Sequence, residues 1–92
     1  MSIIKGVRRV KELEYVTKNF LSDWLQKTIK KYITVMHGGG SGHLHNLVIT
    51  GVEKPLLEMV LKETNGNQTQ AANILGINRN TLRKKIQKYN LL

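Results

Sequence analysis

NQTQAANILGINRNTLRKKIQKY, residues 67–89, is the stretch whose reading decides the fold. It reads as two short helices joined by a tight turn. Asn67 is placed to accept from the free backbone N–H groups of a first helical turn, and Gln70 stands at capping-box spacing. Gly76 closes this helix, since glycine takes the left-handed conformation past a helix end at little steric cost. Asn78 then offers a second N-cap. Helix, glycine, short turn and new cap describe a helix-turn-helix.

The apolar and polar positions agree with this. Ala71, Ala72, Leu75, Ile77, Leu82 and Ile86 are the inward candidates, with Ala72 small where two helices must approach closely. Leu82, Ile86 and Tyr89 recur on one face of the second helix. Arg79, Asn80, Arg83, Lys84 and Gln87 fall mainly on the other side. The last acidic residue in the chain is Glu63, so the cations from Arg79 to Lys88 are expected to be unopposed. A solvated lysine-rich helix end is the plain alternative, because helix dipoles favour cations there. The abrupt turn and the two caps argue against it.

Composition sets the outer limits. Ninety-two residues allow one small domain with a thin core. Fifteen Lys and Arg against six Asp and Glu give a formal charge of +9, which implies a polyanionic partner, either nucleic acid or an anionic membrane surface. The helix-turn-helix favours nucleic acid over membrane. Cysteine is absent, which excludes disulfides, thiolate catalysis and Cys-ligated zinc. No apolar run approaches the roughly 18 residues of a membrane span, and no signal-peptide core follows the basic first residues.

Upstream, Met1 to Asn19 has two readings. Ile3, Val7, Val10 and Leu13 fit a helical stripe, while Leu13 to Thr17 fits a strand equally well. A partly ordered basic arm over 1–19 is the expectation. From about Phe20 to Met36 a helix is clear, with Leu21, Leu25, Ile29, Tyr32 or Ile33, and Met36 on one face and Asn19 as its cap. The residues from His37 to Gly42 read as a glycine-rich linker. They lack the Gly-Lys-Ser/Thr ending of a phosphate-binding loop, and His43 stands where a nucleophile elbow needs glycine. His43 and His45 are two apart and cannot face one metal from a helix, so no metal is expected. The longest helix is expected over 43–65, kinked at Pro55 and ended by Gly66. Its broad apolar surface, together with that of 20–36, exceeds what one chain can bury and asks for a second copy.

With these residues assembled, the chain resembles the Fis family of bacterial nucleoid proteins. The resemblance is carried by VEKPLLEMV at 52–60, GNQTQAA at 66–72, LGINR at 75–79, TLRKK at 81–85 and Lys88-Tyr89, with a weaker match over 16–36. It implies an all-α, four-helix subunit with a C-terminal helix-turn-helix in an intertwined homodimer. Residues 1–19 would be an arm, 20–65 a dimerisation core and 66–92 the DNA-binding unit. The function implied is a nucleoid-associated DNA-binding and DNA-bending regulator of transcription. It would select sites by indirect readout, where deformation energy supplies specificity. The compartment would be the bacterial cytoplasm, and no cofactor is implied.

Carried over by position, the resemblance makes Asn78 and Arg79 the base-edge candidates, and an arginine fork suits both acceptors of guanine. Asn67, Thr69, Thr81, Arg83, Lys84 and Lys85 match the family's phosphate-contacting region, with Lys85 nearest the packed side. Gln70 stands where the family often has arginine, and Asn80 replaces a glycine. Residues 1–19 lack a turn dipeptide such as Asn-Gly to divide two strands, so the family's mobile hairpin and its contact with DNA invertases are not expected. Two alternatives remain. One is a dimerisation module that docks a recombinase or RNA polymerase. The other is the C-terminal domain of a nitrogen-regulator type activator, against which no ATPase domain precedes the motif. An enzyme is not expected, because no acid–base pair, nucleophile or metal set emerges.

Overall fold

The computed structural model describes residues 3–36 and 42–91. Four helices follow one another: α1 (Ile3–Val35), α2 (Leu44–Glu63), α3 (Gln68–Leu75) and α4 (Arg79–Tyr89). No strand occurs among the described residues, so the class is all-α. The chain divides into two compact units, Met1–Ser41 and Gly42–Leu92. Most of the expected glycine linker, 37–41, lies outside the described residues.

The first unit corrects the reading of the N-terminus. α1 is continuous from Ile3 to Val35, so Asn19 lies inside a helix and caps nothing, and Leu13 to Thr17 is not a strand. Val10, Leu13, Val16 or Thr17, and Phe20 keep a three-to-four spacing that runs without a break into Leu21 and Leu25. No proline or capping glycine interrupts 7–35. At 33 residues α1 is also the longest helix, ahead of the 20 residues of α2, and spans about 50 Å at 1.5 Å per residue. An exposed Asp23–Lys27 pair at 3.1 Å sits one turn apart on its surface. Its apolar side chains stay open: Leu13 is 65% exposed, Phe20 66% and Trp24 49%.

The second unit holds the core. Leu57 and Leu61 come from one face of the C-terminal half of α2, Ala71 and Ala72 from α3, and Leu82 and Ile86 from α4. Ala71 and Leu82 are fully buried, and the two alanines let α3 lie close against its neighbours. Val60, Leu75, Ile77, Tyr89 and Leu91 close the edges. α2 runs through Pro55, whose ring nitrogen cannot donate to the Gly51 carbonyl. Its end is closed by Thr64, which is buried and donates its hydroxyl to the Val60 carbonyl at 2.9 Å. Gly66, at φ 80°, then donates its N–H to the Leu61 carbonyl at 2.8 Å and turns the chain into α3. A side chain at Gly66 would be strained by that φ.

Candidate nucleic-acid interface

The two short helices are set by their ends. Asn67 is extended, at φ −73° and ψ 100°, and its side-chain oxygen accepts from the Gln70 N–H at 3.0 Å. Its own N–H donates to the Thr64 carbonyl at 3.0 Å, so the return half of a capping box is already occupied by the turn. Gly76 adopts φ 71°, and the next residue, Ile77, donates its N–H to the Ala72 carbonyl at 3.1 Å. That six-to-one bond tucks Ile77 onto the core edge. Asn78 is again extended, and its oxygen accepts from the Asn80 N–H at 2.7 Å. At the far end Asn90 takes the left-handed conformation, φ 56°, and Leu91 donates to the Ile86 carbonyl at 3.0 Å. Asn90 as a second helix stop was not anticipated; asparagine tolerates φ > 0 better than most residues.

The outer side carries the candidate contacts. Asn67, Thr69, Asn78, Arg79, Thr81, Arg83 and Lys84 are all exposed, as are the family-divergent Gln70 and Asn80. Neither α3 nor α4 has an acidic residue in its first turn. The free N–H groups and the positive dipole end of α4 therefore lie beside Arg79 without a competing carboxylate on that turn. Because the oxygens of Asn67 and Asn78 are engaged as caps, their amide NH₂ groups are what they can offer outward. An NH₂ donates to phosphate oxygens or to base acceptors.

Lys85 behaves differently from its neighbours. Its ammonium lies 2.8 Å from Oε2 of Glu53 on α2, with both side chains only partly exposed. The expectation that the C-terminal cations are unopposed therefore fails at this position. Among the described residues the ion pairs are Asp23–Lys27 and Glu53–Lys85, which leaves Arg79, Arg83 and Lys84 without a carboxylate partner. Oε1 of Glu53 accepts from the Tyr89 hydroxyl at 2.7 Å. The Lys85 hydrogen bond foremost, then that of Tyr89, holds the Glu53 carboxyl below the usual glutamate range. The same carboxylate pushes the Tyr89 phenol up. Lys88 places its ammonium 5.2 Å above the Tyr89 ring. Glu53 was missed in the sequence. The available hint was that Lys85 and Tyr89, one turn apart on α4, present two donors to whatever packs there.

Two short capped helices around a glycine turn, sharing one core and backed by a third helix, define a basic helix-turn-helix protein. The sequence profile described as "Bacterial regulatory protein, Fis family" matches residues 49–89, from α2 through α4. Proteins named DNA-binding protein Fis match nearly the whole chain. That of Proteus mirabilis (strain HI4320) is 44% identical over 90 residues, covering 98% of this chain and 92% of its own length. That of Escherichia coli O1:K1 / APEC matches with the same identity and coverage. That of Aliivibrio fischeri (strain MJ11) is 42% identical over 85 residues, covering 92% and 87%. The chain belongs to the Fis family.

Proposed function

We propose that this chain is a non-enzymatic, nucleoid-associated DNA-binding and DNA-bending protein that regulates transcription as a homodimer. The observation that carries the reading is the outer surface of the helix-turn-helix. Arg79, Arg83 and Lys84 stand exposed and without carboxylate partners among the described residues, on the first half of a helix held by Leu82 and Ile86. Arg79, with Asn78 beside it, is the base-reading tip; Asn67, Thr69, Thr81, Arg83 and Lys84 are the phosphate contacts. The names of the curated relatives favour the same partner.

The homodimer is supported by apolar surface that each unit by itself leaves open. Val10, Leu13, Phe20 and Trp24 on α1, and Leu47, Val52, Leu56 and Met59 on α2, are all exposed. A second copy is the simplest cover. Two copies would present two recognition helices to two half-sites, and family membership favours bending between them by indirect readout. The site of action is then the nucleoid, in the bacterial cytoplasm; no described helix is long and apolar enough to cross a membrane. Docking of a recombinase or RNA polymerase would be an addition to this role.

A mobility shift with excess random-sequence competitor tests the reading. A retained shift whose affinity falls about 10³–10⁵-fold between 50 and 200 mM salt fits neutralisation of about 6–10 phosphates. No shift at low salt, or a flat salt response, refutes it.

A further inference from the structure

We propose that Asn65-Gly66, in the turn between α2 and α3, is a self-modification site whose conversion to isoaspartate unseats the helix-turn-helix from α2. No other asparagine of the chain is followed by glycine. Glycine there matters because it has no side chain to hinder attack by its own backbone nitrogen on the asparagine amide, and this attack is what makes asparagine labile. Both residues are exposed, and a groove lined by Glu58, Lys62, Asn65, Gly66 and Leu91 opens beside them, so water reaches the turn.

The reaction needs water alone. Once solvent takes the Gly66 amide proton, that nitrogen bonds to Cγ of Asn65, Nδ2 leaves as ammonia, and a cyclic imide remains. Water then opens the ring. Cleavage of the new Cγ–N bond gives aspartate. Cleavage at the backbone carbonyl gives isoaspartate, whose main chain runs through Cγ and is longer by one carbon.

The fold holds this reaction off. The Gly66 N–H donates to the Leu61 carbonyl at 2.8 Å, so the attacking nitrogen is engaged. Asn65, left-handed at φ 53°, donates its own N–H to the Lys62 carbonyl at 3.1 Å, and the Asn67 N–H donates to the Thr64 carbonyl at 3.0 Å. Conversion therefore waits for the turn to open, which local unfolding allows without loss of the whole fold. All three bonds bracket the Asn65–Gly66 link, and a main chain lengthened there cannot keep their spacing. The same link joins Leu61 on α2 to Ala71 on α3, both buried in one core, so α3 loses its seat. Asn67 and Thr69 follow directly, so duplex binding falls with it; that last consequence alone rests on the DNA-binding reading above.

Wild type and Asn65→Gly are incubated at mildly alkaline pH, folded and in urea. Asn65→Gly takes the left-handed conformation at little steric cost and has no amide to lose. Peptide mass mapping reads the exchange of NH₂ for OH at each asparagine, and isoaspartyl methyltransferase labelling reads isoaspartate. In urea Asn65 is expected to convert faster than every other asparagine. In the folded protein it is expected to convert at least about tenfold more slowly than in urea. Equal rates in the two states overturn the protection by the fold, and another asparagine converting ahead of Asn65 in urea overturns the assignment of the site. After urea is removed, wild type carrying isoaspartate is expected to melt at a lower temperature than fresh protein, while Asn65→Gly treated alike melts as before. An unchanged melt of the isoaspartate form overturns the unseating of α3. Fresh wild type that binds no duplex overturns the DNA-binding reading and leaves the mass and melting results to decide the modification by themselves.

Discussion

Glu53 on α2 holds Lys85 on α4 at 2.8 Å through one carboxylate oxygen and Tyr89 at 2.7 Å through the other. One side chain therefore fixes two adjacent turns of the helix that carries Arg79 at its other end. Fixing the helix matters because a base-reading side chain has to arrive at a groove in one register. Linkage gives the pH dependence. The Glu53 carboxyl is lowered in the folded state, so its contribution is fully present above the ordinary glutamate range of about 4.3. It is lost as pH falls through the lowered folded value. Glu53→Gln keeps an acceptor for Tyr89 but loses the charge, and is expected to destabilise the protein by on the order of 1 kcal/mol at pH 7. Thermal melts of both proteins at pH 7 and pH 3 check this: the gap between them is expected to shrink at pH 3. A gap of constant size would mean that the charge of Glu53 contributes nothing to stability.

Arg79 is the exposed first residue of α4, at the positive end of the helix dipole. Arg79→Ala is expected to weaken binding to preferred duplexes by about 1–3 kcal/mol and to blur discrimination between sequences. Titration against a preferred and a scrambled duplex reads both effects. Equal weakening on the two would reassign Arg79 to phosphate.

Asn78 caps α4, and substitution can separate that role from the DNA contact proposed for it. Its oxygen caps α4 by accepting from Asn80 at 2.7 Å, while its NH₂ group is free to donate outward. Asn78→Asp keeps the cap acceptor and removes the donor, so stability should hold within about 0.5 kcal/mol. DNA affinity should fall at least about tenfold, since a carboxylate faces the polyanion and lacks the donor. Asn78→Ala, by contrast, should lower stability by about 0.5–2 kcal/mol. Melting curves and mobility shifts on the two variants distinguish capping from contact.

Oligomeric state is the fourth expectation. The exposed Leu13, Phe20 and Trp24 of α1 are too large and too numerous to be indifferent to association. Sedimentation equilibrium at micromolar concentration is expected to give a dimer, and Phe20→Glu to shift it toward monomer by burying an unpaired charge in the interface. A wild-type monomer under those conditions would remove the basis for paired half-site reading.

Much of the second unit was legible residue by residue. Asn67, Gly76 and Asn78 determine helix ends through contacts within a few residues, and such contacts are written in local order. Leu82 and Ile86 were assignable to the core because their spacing matches the helical repeat. The N-terminal region was less legible because apolar residues at three-to-four spacing and a short β-preferring run at Leu13–Thr17 compete locally. Helix continuity through Asn19 resolves that competition.

The sequence by itself determined the class of this protein: an all-α chain, strongly basic, ending in a capped helix-turn-helix of the Fis type. Those properties depend on composition, periodicity and near-neighbour hydrogen bonds. Only the tertiary structure decided which cations of the motif are free. Lys84 and Lys85 are chemically identical neighbours, and nothing within α4 tells them apart except the direction in which each points. Packing of α4 onto α2 turns one toward solvent and brings the other to Glu53. Charge pairing between distant segments is a property of how helices dock, and spacing along a single helix does not encode it.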